Sequence, residues 1–461
     1  MKKTLLILLA LFTLLSCQRE TIGGIEETGT TPVANNDDPD DVNWYKAISY
    51  VFDSKEIPQI HISTSQYEWD RLLKLFDNNN NTQEFIHCDV KFIKGKEVTL
   101  IKDSGLRLKG NTSRRRPQKS SGRFRHCHYG VNFHYYNDDG EHSLKGLRRF
   151  DLKWFKDDPA YVRELYCYDL FRREGVWTAV NDVYCRLWLR VGDKDEAYLG
   201  VYEMMEHIDK NYLRAREVQF GNHSGNLWKC HWGATLKKNE GSIGADDNQH
   251  DYSYELKTNK QELSAATQQL KNFIDKLNSL SGSEFDEWIS SVMDVELFLK
   301  TYAINVAVGM WDDYWNNCNN YYLYFNSTDS QKYKVWFIPY DYDNTLGTTT
   351  NCGVQSDAGR QSPLDWGQKY PLVRKILANS EWKAFYLDYL RKLCNGNFSA
   401  SASATRIKAW QSSISAYVDN DTGDDTVIKD EPASWSNHRE YRLLESGSNN
   451  FFEVKAASIP R

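Results

Sequence analysis

The chain has 461 residues, 14% of them aromatic, and a formal net charge of -6. That length holds two or three lobes with substantial cores, and the aromatic content excludes a wholly disordered chain. The mild acidity argues against a nucleic-acid partner drawn by bulk charge.

Met1 to Cys17 reads as a targeting segment. Lys2 and Lys3 open it, and Leu5 to Leu15 is apolar but too short for a transmembrane helix. Leu14-Leu15-Ser16-Cys17 resembles a bacterial lipobox in which Cys17 is lipidated, so a membrane partner reached through a lipid anchor is expected, on the periplasmic face or outer surface of a bacterial cell envelope. Residues 18–43 are poor in large apolar side chains and read as a flexible tether, with the globular region starting at Trp44. None of the other eight cysteines forms a Cys-x-x-Cys pair. A Cys318–Cys352 bridge is open in an oxidising envelope, and most of the rest read as buried small hydrophobes.

The first half is strand-rich. Lys91 to Ile101, Gly105 to Lys109, Val131 to Tyr136, Arg148 to Trp154, Val183 to Val191 and Ala197 to Glu203 read as strands, with Gly192-Asp193 turning between the last two. One helix interrupts them. Asp158 is its predicted N-cap and Pro159 its first residue, Val162, Leu165, Tyr166 and Leu170 share a face, and Gly175 suits the stop. From about residue 207 the pattern turns helical: Leu263 to Leu277, Val292 to Val308, Pro371 to Ala378, Glu381 to Cys394 and Thr405 to Val418, then a loop-rich tail from Asp419. The expected class is α+β, with a strand-rich part over 44–206 and a helix-rich part over 207–461.

The densest chemistry lies between Trp311 and Thr345. Asp312 precedes Asn317 by five residues, the spacing of a kinase's catalytic Asp and its metal-binding Asn. Counting from Asp313 reaches Cys318, a poor ligand for a hard cation. Strands Tyr321 to Phe325 and Tyr333 to Pro339 follow, the second apolar on both faces and delivering Asp341, with Asp343 two residues on. Upstream, Lys153 on a strand and Glu164 on the next helix match the order of a kinase's phosphate-binding Lys and its partner Glu, with Lys156 and Glu174 as alternatives. Glu206, after a strand in Tyr202 to Asp209, is placed to meet an adenine amine or a ribose hydroxyl. Lys109, Asn111, Ser113 and Arg114 form a basic, hydroxyl-bearing loop suited to phosphate, although a Gly-x-Gly-x-x-Gly loop is absent. His126 and His128 alternate and can share a metal, but lack a third ligand nearby. Asp312, Asp313, Asp341 and Asp343 suit a glycosidase's acid and nucleophile equally well.

Together these stretches resemble the CotH kinase family, in its lipid-anchored Bacteroidetes-type members. The resemblance runs from Arg107 through Leu152-Lys153, Arg163-Glu164, Gly200 to Glu206 and Trp311 to Tyr314, and ends in Ile338-Pro339-Tyr340-Asp341-Tyr342-Asp343-Asn344-Thr345. It implies an atypical protein-kinase-like, two-lobed fold and Mg²⁺-dependent transfer from ATP to Ser or Thr of a protein acceptor that the sequence does not identify. Asp312 matches the catalytic Asp and Asp341 the metal-binding Asp, Asn317 and Asn320 compete for the metal, and Tyr340 stands where Trp is frequent. Since little ATP reaches an envelope lipoprotein, a non-catalytic surface protein binding a glycan or another protein on the same scaffold is the alternative.

Overall fold

Alternating burial along the first strands closes a barrel. The computed structural model describes residues 48–137, 142–246, 252–350 and 357–460. Cys17, the 18–43 tether and Cys352 lie outside them. β1 (Gln59–Thr64) and β2 (Ile86–Lys94) bury every second residue, as strands with one face on a core must. β3 (Glu97–Lys109), β4 (His128–Asn132), β5 (Arg149–Lys153), β6 (Asp182–Val191) and β7 (Ala197–Glu206) complete the set in the order β1-β2-β3-β4-β5-β7-β6. Parallel pairing of β1 with β6 closes the ring, which leaves no open edge. Ile60, Val90, Leu106, Val131, Phe150 and Leu187 are among the side chains of its core. α1 (Gln66–Asn78), capped by the Ser65 hydroxyl on Glu68 N, packs against that core through Trp69 and Leu72.

Several boundaries differ from the sequence expectation. The strand expected over Lys91 to Ile101 is a hairpin, β2 turning into β3 at Gly95, whose φ of +58° suits glycine. β4 ends at Asn132, whose side chain then accepts from His134 N and turns the chain. The helix expected from Pro159 starts later, as α2 (Arg163–Arg173), because Tyr161 has a φ of +60°. Asp158 still serves the helix start from outside it, its Oδ2 accepting from Val162 N and Arg163 N at 2.8 Å each.

The second half is not purely helical. After α3 (Lys210–Ala215) and α4 (Glu217–Phe220) come β8 (Asn226–Cys230), β9 (Ile243–Gly244) and β10 (Tyr254–Leu256). They join β11 (Tyr321–Phe325) and β12 (Val335–Pro339) in a five-stranded sheet, order β12-β11-β8-β10-β9. β8 to β10 are short and lack alternation, so only their pairing with distant strands defines them. Further helices are α5 (Leu263–Ser279), α6 (Gly282–Val292), α7 (Val295–Val308), α8 (Pro371–Ile376), α9 (Ser380–Asn395) and α10 (Ala400–Ile414), and α11 (Phe451–Ala457) lies within the tail. α7 is buried on nearly every side and ends at Gly309, φ +68°, which turns the chain into the Trp311 loop. The result is a mixed α/β fold with a closed barrel first and a mainly helical C-terminal region.

α10 and the tail after it also tie the two regions together. Tyr198 N of β7 donates to Asp421, Lys429 N to Pro159 O, and Gln411 to Ala160 O. Of the cysteines, Cys88, Cys127, Cys167, Cys185, Cys230, Cys318 and Cys394 are free and buried.

Candidate functional site

A cavity of about 590 Å³ opens where β3, β5 and the Gly110 loop face β8, the Asp312 loop and the exit of β12. Lys153 ends β5 and enters it. Its Nζ donates to Glu164 Oε2 of α2 and to Asp341 Oδ1 at 2.5 Å, with Asp343 Oδ2 at 4.0 Å. Glu164 lies below the cavity floor, and its second oxygen accepts from Tyr342 N at 3.1 Å, so one carboxylate grips both the lysine and the acidic segment. Asp341 has a φ of +66°, and its N–H donates to Tyr168 Oη at 3.0 Å. Burial opposes the charge on Lys153, but Asp341 and then Glu164 raise its amine well above the ordinary lysine value. Burial likewise disfavours a charged Asp341, yet Lys153 holds that carboxyl below its usual range. Burial and then the charge of Asp341 push Asp343 well up.

Asp312 faces the same cavity from the loop after α7. Asn317 Nδ2 donates to its Oδ1 at 2.5 Å, Asn319 to the same oxygen at 3.4 Å, and Asn320 to Oδ2 at 3.2 Å. Cys318 and Asn320 both have φ of +52°, which curls the loop back onto Asp312. Burial raises the Asp312 carboxyl to about 6, against the lowering effect of the Asn317 bond. Asp313 is fully buried and serves the scaffold, bonding Asn305 Nδ2 at 3.0 Å and Tyr342 Oη at 3.2 Å.

The basic loop forms the rim. Lys109 pairs with Asp151, which also meets His207 Nδ1 at 2.7 Å. Burial pulls the Lys109 amine down to about 7 despite Asp151. Arg114 donates to Gly110 O at 2.8 Å, Thr82 O at 2.7 Å and Asn80 O at 3.0 Å, so it shapes the loop, while Asn111 and Ser113 line the cavity. Gly110 has a φ of +96°, and a Cβ there would stand 2.2 Å from Ser113 Oγ.

Lys109, Asn111, Ser113, Arg114, Lys153, Asp312, Asn317, Asn320, Asp341 and Asp343 thus line one cavity, with Glu164 beneath it. Glu206 does not, and its expected place at a nucleotide is corrected. Its carboxylate is buried and held by Arg216 through two bonds of 2.7 Å and by Asn181, because a buried charge needs a partner. Of the alternatives, Lys156 lines the cavity paired with Asp157, and Glu174 sits elsewhere, bonded to Tyr389 and Asn397 at 2.8 Å. His128 lines the cavity and accepts from Trp154 N at 3.1 Å, while His126 turns to Leu199 O at 2.7 Å. Lys229, His231 and Trp232 at the end of β8, and Trp435 in the tail, also line the cavity. Sequence reasoning missed Lys229, His231 and Trp232 because β8 went unrecognised, and Trp435 because it lies in an irregular tail. The aromatic-rich run Leu227-Trp228-Lys229-Cys230-His231-Trp232 of β8 and its exit was the available signal.

Among the described residues no group of three or more His, Cys, Asp or Glu is placed to hold a metal. The acidic corner instead offers Asp341 and Asp343 with nearby amide side chains. Two crowded carboxylates, one driven toward its neutral form, would be relieved by a divalent cation. Mg²⁺ takes one or two carboxylates and leaves other positions to water and phosphate, so this all-oxygen set suits it.

A family model described as CotH kinase protein matches residues 106–444, well over half of the chain. Every cavity-lining residue except Gln83 falls within that span. The chain is also similar to inner spore coat protein H of Bacillus subtilis (strain 168), 23% identical over 279 residues, which is 60% of this chain and 70% of that protein.

Proposed function

The chain belongs to the CotH kinase family, and on that premise we propose that it is an atypical protein kinase, moving a phosphoryl group from ATP, with Mg²⁺, to a Ser or Thr hydroxyl of a protein. One observation carries this reading: Lys153, gripped by Glu164, lies against Asp341 in the cavity that Asp312 also faces. Phosphoryl transfer asks for positioning and charge compensation more than for covalent chemistry by the protein.

In this reading Lys153 and the rim residues Lys109, Asn111, Ser113 and Arg114 bind or frame the donor phosphates. Asp341 and Asp343, with Asn317 or Asn320, would hold Mg²⁺, which when bound offsets phosphate charge. Asp312 orients the acceptor hydroxyl and takes its proton as the oxygen bonds to the terminal phosphorus and the bond to the leaving diphosphate breaks. The strand-rich part, 44–206, and the helix-rich part, 207–461, are then the two lobes of a kinase-like fold. Lipid on Cys17 and the 18–43 tether would hold them at a bacterial envelope membrane. Among the described residues no helix is long and apolar enough to cross one.

The test is thermal shift of the full chain with ATP, with and without Mg²⁺, followed by labelled phosphate transfer to casein. A protein that neither shifts with any nucleotide nor transfers label overturns the proposal. A second reading, non-catalytic binding of a glycan or protein, draws on Trp232, 73% exposed, and Trp435, 40% exposed, at the same cavity. Stabilisation by a polysaccharide with no nucleotide response selects it. A glycosidase also separates the pKa values of two carboxyls, as Asp312 and Asp341 do, but has no need of a Lys153 seated on one of them.

A further inference from the structure

Lys229 is a cavity cation that the kinase reading leaves without a task. It projects from β8, where its neighbours in the sheet are Tyr322 of β11 and Glu255 of β10. The other lining cations are committed. Lys109 holds Asp151, Lys153 holds Glu164 and Asp341, and Lys156 holds Asp157. Arg114 spends its donors on backbone carbonyls, and Arg107 donates to Gln83. The closest groups to Lys229 are ring faces, its Nζ standing 5.1 Å from the Tyr340 centroid and 6.0 Å from that of Tyr322, while Glu255 and Asp341 act on it only at longer range. Among the described residues no carboxylate oxygen reaches it within 4.0 Å. Glu255, on the adjacent strand, gives one oxygen to Lys257 at 2.8 Å and the other to His231 at 2.9 Å.

An ammonium drawn out of bulk water without an anion costs free energy. Burial accordingly pulls the Lys229 amine below the ordinary lysine value, and Glu255 recovers only part of it. An incoming phosphate offsets this cost with a charge-assisted hydrogen bond. The chain also lacks the Gly-rich turn with which other kinases cover phosphates, so side-chain cations inherit that work. A purely structural cation–π role explains the ring contacts but not the siting of the charge in the cavity beside Asp341.

We propose that Lys229 is a further phosphate ligand of the donor site, its ammonium moving from the faces of Tyr340 and Tyr322 onto the phosphate chain beside the Lys153–Asp341 pair. This rests on the kinase reading.

The experiment is calorimetric titration of the full chain with adenosine, ADP and a non-hydrolysable ATP analogue, each with Mg²⁺, for the wild type, Lys229→Met and Lys229→Arg. Lys229→Met is expected to bind the ATP analogue about tenfold more weakly, the loss of one charge-assisted bond, with adenosine changed less than about twofold. Lys229→Arg is expected to keep most of the affinity. Should Lys229→Met fail to fold, Lys229→Gln carries the same comparison. Equal losses for adenosine and the ATP analogue, or no loss for either, overturn the assignment while leaving the kinase reading intact. A wild type that binds no nucleotide removes both.

Discussion

Lys153 at the end of β5 and Asp341 at the exit of β12 lie 188 residues apart in sequence and meet at 2.5 Å. That contact joins the barrel to the second sheet, and Glu164 completes it from α2. Lys153→Met leaves the buried Glu164 and the half-buried Asp341 without their cation. Removing one member of a buried pair costs about 3–5 kcal/mol. Chemical denaturation is expected to show a loss of that order, and Mg²⁺-dependent nucleotide binding is expected to vanish. Asp341→Ala is expected to lose the same binding.

Asp312→Asn separates binding from chemistry. The variant keeps the loop but lacks the proposed proton acceptor, so transfer is expected to fall by about 10²–10⁴-fold with nucleotide affinity nearly unchanged. Turnover equal to wild type rules out the role given to Asp312.

The same carboxyl sets a pH dependence. Burial holds it near 6, above the ordinary Asp value of 3.8. In the proposed role of base it must be ionised, so the transfer rate is expected to decline as pH falls through about 6. For folding the sign is opposite. The raised value means that the protonated group favours the folded state, a contribution present at low pH and lost as pH rises through about 6. A rate profile flat down to pH 4.5 contradicts this.

Glu206 supplies a control. Arg216→Ala leaves the Glu206 carboxylate buried with, among the described residues, Asn181 as its one side-chain partner, and stability is expected to drop by about 3–5 kcal/mol. The folded fraction is expected to bind nucleotide within twofold of wild type. A large selective loss of affinity restores Glu206 to the binding site.

Gly110→Ala probes the rim. The left-handed φ alone costs an alanine about 1–2 kcal/mol, and the new Cβ also meets Ser113 Oγ. Nucleotide affinity is expected to weaken along with stability, read by titration and melting. Cys17→Ser tests the anchor separately: the protein is expected to move from the membrane to the soluble fraction, and an unchanged partition refutes lipidation at that residue.

Local chemistry in the sequence was enough to find most of the cavity. Asp312 with Asn317, the apolar strand that delivers Asp341, and the Lys153 to Glu164 order are short-range patterns, and their side chains meet at one place. Glu206 misled because a Glu after a strand reads alike whether it faces a ligand or a buried arginine. Only the arrival of Arg216 and Asn181 distinguishes the two. β8 escaped because a five-residue strand without alternation is defined by its partners, here β10 and β11, and with it went Lys229 and Trp232.

The linear chain therefore determined which residues bring carboxylates, amides and cations, and the mixed strand and helix content that holds them, since residue chemistry and periodicity are local properties. The tertiary structure alone decided that the early strands close into a barrel, that Asp312 faces the cavity while Asp313 is spent on the scaffold, and that each lining cation except Lys229 has a hydrogen-bonding partner among the described residues. Those outcomes depend on which distant strands pair and which buried charges find each other, and neither is encoded in the spacing of neighbours along the chain.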